Sequence, residues 1–245
     1  EQGLADFAAR TADLDALLLV GVPVRVNAKL YNCCAVVSSG TILGVVPKRH
    51  IPTYNEFYEG RHFVPGTADV VPIDVAGQLD VPFGMSQLFA CEELSELVVA
   101  AEICEDLWVP EPPSIRHAQA GATLICNLSA SNALVGKADY RRELVRGQSA
   151  RLVCGYVYAS AGTGESTQVD VRQLAAERRR MSTFQTVANA AQLDYHVSRF
   201  TLDVHHVHLT RWVDPHPFVP SDASRRAERC EDVLAIQAHG LAKRL

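Results

Sequence analysis

In the first 162 residues, short apolar runs alternate with charged or turn-rich stretches. Runs of this length that are rich in β-branched residues are typical of buried strands. The runs with this pattern are 14–26, 30–37, 41–48, 96–104, 123–131 and 154–162. Two of them, 30–37 and 41–48, flank the turn sequence Ser-Ser-Gly, which predicts a β-hairpin.

Segments of helical character lie between several of these strands. Residues 114–122 and 138–153 have helical spacing, and the first 21 residues read as a helix that runs into a strand. Hairpins followed by strand–helix alternation predict an α/β fold in which helices cover the sheet faces. Catalytic groups in such folds gather at the carboxyl ends of strands, where "VVPK", "AAEIC" and "ICNLSAS" stand.

The pattern changes from Val169 onward. Residues 169–191 are charged and helical in character, and 196–220 are a possible β segment or an extended strap that ends in a proline-rich stretch. The last segment carries apolar residues at i, i+3, i+4 spacing, which predicts an amphipathic helix. These apolar residues are Val233, Leu234, Ile236 and Leu241.

Length and charge exclude several function classes. A chain of 245 residues, 48% of them hydrophobic, suits one globular domain with a sizeable core. Its formal charge of −5 gives no reason to expect a nucleic acid or an anionic membrane as a partner. No apolar run approaches the roughly 20 residues of a membrane span. The basic run at 177–180 is interpreted as a solvated helix face or an oligomer contact.

The cysteines indicate a reducing environment. None of the seven forms a CxxC pair, and several lie inside strand-like runs, so we expect a cytoplasmic protein with mostly inert core thiols. They are Cys33, Cys34, Cys91, Cys104, Cys126, Cys154 and Cys230. Cys104 differs from the others because it ends the run 96–104 and two acids and a tryptophan follow, where solvent and substrate can reach a thiol.

A histidine cluster raises the possibility of a metal site. On a strand, His206 and His208 of "HHVH" would share one face and could bind zinc with a third ligand. No cysteine or carboxylate stands at a convincing spacing, so we interpret these residues as surface histidines and predict no metal.

Three stretches carry a family resemblance: "VPKRHIPTYNEFYEGRHFVPG" (46–66), "AEICEDLW" (101–108) and "ICNLSASNALVGKADYRR" (125–142). Together they resemble the nitrilase superfamily, and more narrowly the glutaminase domain of glutamine-dependent NAD+ synthetases. "YVYASAGTGEST" supports the match, which covers most of residues 15–167. The resemblance implies a four-layer α-β-β-α sandwich, followed by a C-terminal helical linker.

The resemblance implies a cysteine nucleophile supported by a lysine and a glutamate. Cys104 would attack the carboxamide of glutamine, release ammonia and form a thioester that water hydrolyses. Lys48 would favour the thiolate and stabilise the oxyanion, and Glu59 would support the lysine. Taken singly, these residues also fit a buried core thiol, a solvated strand end and a surface acid.

The same resemblance implies the residues that bind L-glutamine: Tyr54, Glu105, Trp108, Ser131 and Lys137. Glu105 would receive the α-ammonium group, Tyr54 and Ser131 offer hydroxyls, and Trp108 would form a wall. At Lys137 the family often carries arginine, which binds a carboxylate through two parallel hydrogen bonds. Lysine keeps the charge but loses this geometry, which predicts weaker glutamine binding.

The chain also departs from the family pattern. The resemblance places the glutamate that serves as general base upstream of residue 1, and a strand pair expected after Thr167 is missing. We therefore expect a glutaminase domain at 1–184 without its N-terminal part, a connecting strap at 185–220 and a linker helix at 221–245. No cofactor is expected in these residues.

The resemblance further implies a synthetase domain in the same polypeptide. That domain would use ATP and Mg2+ to amidate deamido-NAD+, and the whole enzyme would form homo-oligomers. Two alternatives remain open at this point: a free-standing amidase or carbamoylase of the same superfamily, and an inactive structural or regulatory domain.

Overall fold

The structure, a computed structural model, describes residues 1–132, 134–161, 164–185, 191–205, 215 and 222–244. The helices are α1 (Gln2–Arg10), α2 (Pro113–Ala120), α3 (Lys137–Leu152), α4 (Val171–Arg180), α5 (Ser182–Gln185) and α6 (Ala223–Ala242). Short 3-10 helices occur at Glu59–Arg61 and Cys104–Leu107. None of the described helices is long and apolar enough to cross a bilayer.

The first sheet is built around the predicted hairpin. Its strands are β1 (Leu17–Val26), β2 (Lys29–Ser38), β3 (Thr41–Pro47), β4 (Val71–Val75) and β5 (Gln78–Phe83). They lie in the order β1-β2-β3-β5-β4, with β3 antiparallel to β2 and parallel to β5. The turn between β2 and β3 contains Ser39 and Gly40, both at positive φ, which confirms the predicted hairpin.

The second sheet collects the later strands. They are β6 (Gln87–Cys91), β7 (Val98–Ile103), β8 (Leu124–Ser129), β9 (Gly155–Ser160) and β10 (His196–Phe200), in the order β10-β6-β7-β8-β9. Strands β7, β8 and β9 are parallel, so their carboxyl ends meet at one edge of the sheet. Residues 164–170 form no strand, and β9 is the outer strand of this sheet over the described residues.

Alternating side chains pack the two sheets into four layers. On β2, Cys33 and Ala35 point toward α1, whereas Cys34 and Val36 point toward the second sheet. On the far face of the second sheet, Ala118 of α2 and Leu152 of α3 pack against strand residues such as Ala100 and Ile125. The resulting order of α1, first sheet, second sheet, and α2 with α3 confirms the predicted α-β-β-α sandwich.

The chain folds into two compact units, Glu1–His205 and His206–Leu245. The second unit contains α6, which begins after Asp222, where the carboxylate accepts a hydrogen bond from the N–H of Ser224. A helix was predicted in this segment. The predicted strap, 185–220, contains β10, which pairs in parallel with β6 and so belongs to the second sheet.

Candidate active site

Lys48 directly follows β3 and is held in place by its main chain. Its N–H donates to the carbonyl of Asn32 at 2.8 Å, and its carbonyl accepts from Gly66 at 2.8 Å. The side chain is buried, and its Nζ lies 2.7 Å from both carboxylate oxygens of Glu59, which is 25% exposed. A buried ammonium requires a counter-charge, so the sequence-predicted lysine and glutamate form one ion pair.

Cys104 directly follows β7 and adopts an unusual backbone conformation. Its φ is +46°, in the left-handed region that residues with a Cβ rarely occupy, and it opens the short 3-10 helix Cys104–Leu107. The chain therefore turns sharply at the strand end and brings the thiol to the sheet edge. Cys104 is half-buried.

Several of the other cysteines are core thiols with raised pKa values. Burial raises the pKa of Cys33 and of Cys126 to about 12, and it raises the pKa of Cys34 as well. Such thiols stay protonated at neutral pH and act as small apolar side chains. Their environment agrees with the prediction that most of the cysteines are inert core residues.

A cavity of about 390 Å³ joins the three predicted catalytic residues. Lys48, Glu59 and Cys104 all line it, together with Ser129 and Ala130 from the end of β8. Lys48 comes from the first sheet and Cys104 from the second, so the cavity lies where the carboxyl ends of β3, β7 and β8 converge. The structure thus brings together residues that are 56 positions apart in the sequence.

A second, smaller cavity of about 120 Å³ also has Cys104 in its wall. The five residues predicted to bind glutamine all line it: Tyr54, Glu105, Trp108, Ser131 and Lys137. The hydroxyl of Tyr54 donates to Glu105 Oε1 at 2.6 Å, and this bond raises the pKa of Tyr54 to about 12. Cys104 therefore lines both cavities.

The ammonium of Lys137 is fixed by aromatic and polar neighbours. Its Nζ lies 5.1 Å from the ring centroid of Trp108 and 6.0 Å from that of Phe57, within cation–π range. It also donates to Asn132 Oδ1, and the amide of Asn132 in turn donates to Glu56. Phe57, Asn132 and Glu56 line the same cavity and were not predicted from the sequence.

Asp106 links the two strand ends that carry Lys48 and Cys104. Its carboxylate accepts from the N–H of His50 at 2.8 Å, from that of Arg49 at 3.4 Å and from that of Ile103 at 3.0 Å. Burial raises the pKa of Asp106 to about 6, although these hydrogen bonds oppose the shift. The sequence analysis assigned Asp106 no role, because two of its partners lie more than 50 residues away.

A buried polar network lies behind Cys104, on the helix-covered face of the second sheet. Asn127 Oδ1 accepts from the N–H of Cys104 at 3.1 Å, and the Asn127 amide also contacts Glu102 and Tyr156. Glu102 is 1% exposed and accepts from the N–H of Ser114 at 2.8 Å and from the Tyr156 hydroxyl. Burial raises the pKa of Glu102 to about 7 and raises that of Tyr156.

No metal centre is visible in the part of the chain that the structure describes. Its histidines, cysteines and carboxylates form no group of three or more that could hold a metal ion. His206 and His208, considered as metal ligands in the sequence, lie outside the described residues. The neighbouring His205 is described, and its Nε2 lies 3.2 Å from the Asp203 carboxylate.

The sequence profile of the carbon-nitrogen hydrolase family matches residues 2–192. A glutamine-dependent NAD(+) synthetase of Mycobacterium tuberculosis is 39% identical over an alignment of 286 positions that covers all of this chain and 42% of the relative. The chain therefore spans about two-fifths of the length of that relative. The alignment of 286 positions is longer than this chain of 245 residues, so the relative has residues within the aligned region that this chain lacks.

Two solved structures share the fold. A glutamine-dependent NAD(+) synthetase from Cytophaga hutchinsonii is 31% identical with a TM-score of 0.54, over 64% of this chain and 24% of that one. A CN-hydrolase superfamily protein from Xanthomonas campestris has a TM-score of 0.53 at 13% identity, over 77% of this chain and 76% of that one, which speaks for the fold alone. On the profile match and the shared sandwich, the chain belongs to the carbon-nitrogen hydrolase family.

Proposed function

We propose that this chain is the glutamine-hydrolysing part of a glutamine-dependent NAD+ synthetase. One observation carries the proposal: Cys104 lines both a cavity with the buried Lys48–Glu59 pair and a smaller cavity of about 120 Å³ that the five predicted glutamine-binding residues also line. The cavity with Lys48 supplies a positive charge for acyl transfer. The smaller cavity supplies Glu105 and Lys137, whose charges are opposite to those of the α-ammonium and α-carboxylate groups of glutamine. The relatedness to glutamine-dependent NAD(+) synthetases supports this substrate over other amides.

The chemistry follows from the residues around Cys104. The sulfur of Cys104 is the nucleophile, attacking as the thiolate, and the positively charged Lys48 lines the same cavity. Sulfur bonds to the carboxamide carbon, and the oxyanion that forms is stabilised by the Lys48 ammonium and by backbone N–H groups. The carbon–nitrogen bond then breaks, and the departing nitrogen takes up the proton that the thiol gave up and leaves as ammonia. Water then breaks the carbon–sulfur bond of the γ-glutamyl thioester, which releases glutamate and returns a proton to the sulfur.

The smaller cavity would hold the amino-acid part of the substrate. Glu105 would accept hydrogen bonds from the α-ammonium group, with its carboxylate already oriented by the Tyr54 hydroxyl. Lys137 would pair with the α-carboxylate, Ser131 would donate or accept through its hydroxyl, and Trp108 would close one side. Binding both charged ends fixes the carboxamide next to the thiol, which lowers the entropic cost of attack.

The remaining assignments concern the longer protein. Ammonia would pass to a synthetase part of the same polypeptide, which would use ATP and Mg2+ to amidate deamido-NAD+, and the enzyme would assemble as a homo-oligomer. The described cysteines are free thiols, which fits a reducing, cytoplasmic setting.

Labelling with a glutamine-mimicking diazo-ketone tests the proposal. We expect one equivalent of label on Cys104, located by peptide mass spectrometry, and protection of this site by excess glutamine. The exposed Cys230 serves as an internal control, since its modification should not respond to glutamine. Protection by a small aliphatic amide but not by glutamine would indicate a free-standing amidase, and an unlabelled Cys104 would contradict any active site here.

Lys137→Arg is expected to lower the apparent KM for glutamine several-fold while kcat changes little. A guanidinium can bind the α-carboxylate through two parallel hydrogen bonds, whereas the lysine provides a single charged donor. The measurement is initial-rate ammonia release against glutamine concentration. Lys29→Arg, at the exposed start of β2, is the matched control. An unchanged KM in Lys137→Arg would show that Lys137 does not meet the carboxylate.

A further inference from the structure

The main-chain conformation of Cys104 needs support from its surroundings. Its φ of +46° is unfavourable for a residue with a Cβ, because the Cβ lies too close to the following carbonyl oxygen. Such a conformation persists only where neighbouring groups over-determine it. The structure shows which groups these are, and none of them is among the residues assigned above to catalysis or to glutamine binding.

The side chain of Asn127 contacts both polar groups of the Cys104 main chain. Its Oδ1 accepts from the Cys104 N–H at 3.1 Å, and its Nδ2 lies 3.5 Å from the Cys104 carbonyl oxygen. One primary amide thus bridges the donor and the acceptor of the same residue. Asn127 itself is fully buried in β8, so it cannot swing away into solvent.

Three further side chains fix which way the Asn127 amide faces. The Ser129 hydroxyl donates to its Oδ1 at 2.6 Å, while its Nδ2 lies 3.2 Å from the Tyr156 hydroxyl and 3.5 Å from Glu102 Oε1. The Cys104 N–H can only donate and the Cys104 carbonyl can only accept, so a single orientation of the amide satisfies both, and these three side chains are consistent with it. Strand register makes this possible, because Glu102 and Asn127 are direct partners in the β7–β8 pairing.

We infer that Asn127 is a positioning residue, whose amide, oriented by Glu102 and Tyr156, holds Cys104 in the left-handed conformation that aims the thiol at the Lys48 cavity. The inference rests on the proposed function only in treating Cys104 as the nucleophile. Asn127 lines neither cavity among the described residues, so it acts through the main chain of Cys104.

The rate of Cys104 alkylation by iodoacetamide, followed by peptide mass spectrometry from pH 6 to 10, tests the inference without substrate. In Asn127→Ala the freed main chain should turn the thiol away from Lys48. We expect the Cys104 rate at pH 7 to fall about tenfold and the rate–pH profile to move to higher pH. Tyr156→Phe, which only loosens the amide, should lower the rate about fourfold, with a smaller shift of the profile in the same direction.

The strand carrying Tyr156 offers a matched control. The Tyr158 hydroxyl is buried and has no hydrogen-bond partner among the described residues, so Tyr158→Phe should leave the Cys104 rate unchanged. Cys230 should react at the wild-type rate in every variant. Simple loss of stability would act in the opposite sense, because partial unfolding would speed the labelling of buried thiols such as Cys33 and Cys126.

Two outcomes would overturn the inference. One is a Cys104 rate and profile within twofold of wild type in Asn127→Ala or, if that variant does not fold, in Tyr156→Phe. The other is equal slowing by Tyr156→Phe and Tyr158→Phe. Failure of the proposed function remains separate, since a wild-type protein that hydrolyses no glutamine would still give an alkylation profile for Cys104.

Discussion

Glu59→Gln is expected to lower the free energy of unfolding by about 3 kcal/mol and to abolish detectable glutamine hydrolysis. The substitution keeps the shape of the side chain but leaves the fully buried Lys48 ammonium without its counter-charge. Breaking a buried ion pair by removing one partner carries a large penalty, because the remaining charge stays desolvated. Urea unfolding at pH 7, together with an ammonia-release assay, measures both effects.

The double variant Lys48→Met/Glu59→Gln separates stability from chemistry. With both charges removed, most of the lost stability should return, since an apolar side chain fits a buried site at least as well as an ion pair does. Hydrolysis should not return, because the oxyanion would still lack its cation. The exposed Arg142–Asp139 pair is the matched control, and Asp139→Asn should change neither property. A double variant as unstable as Glu59→Gln would contradict this account.

Glu102→Gln is expected to change how the stability of the protein depends on pH. Burial raises the pKa of Glu102 from 4.5 to about 7, so the folded state holds a proton there that the unfolded state has already lost. The Glu102 contribution to stability is therefore complete below pH 4.5 and is lost as the pH rises through about 7. A shift of this size corresponds to a difference on the order of 3 kcal/mol.

A comparison of the wild type with Glu102→Gln isolates the contribution of Glu102 to the pH dependence of stability. Between pH 5 and pH 8, the free energy of unfolding should fall further in the wild type than in Glu102→Gln, which cannot titrate at this position. Shifted carboxyls whose causes do not include Glu102, such as Glu93, are common to both proteins and cancel in the difference. Equal pH dependence in the two proteins would show that Glu102 titrates normally in the folded state.

The sequence was sufficient to predict features that depend on the residue pattern of a single segment. Lys48 and Cys104 each stand where an apolar run stops, and family strings surround them, so these two strand ends were predictable, whereas Phe57, Asn132 and Glu56 of the smaller cavity were not. The hairpin β2–β3 and the helices α2 and α3 were predictable for the same reason. Each depends on spacing within one segment, which a single sequence displays directly.

Other features depend on pairing between distant segments. Asn127 and Glu102 lie inside runs that read as apolar strands, and only the β7–β8 register shows that they face each other. Asp106 reaches main-chain groups more than 50 residues away. No strand was predicted between residues 66 and 95, where β4, β5 and β6 lie. These strands are short, and Pro72 and Pro82 interrupt the pattern of the first two.

Lys48 belongs to the first sheet and Cys104 to the second. The thickness of the apolar core between the two sheets therefore sets the distance between the ammonium group and the thiol. This core between the sheets includes Val36, Val46, Phe89 and Ala101. A smaller or larger side chain at one of these positions should change the spacing between the two sheets, because a close-packed interior transmits a change in side-chain volume to its neighbours. A change in these interior residues should therefore alter the distance between Lys48 and Cys104 as well as the stability of the fold.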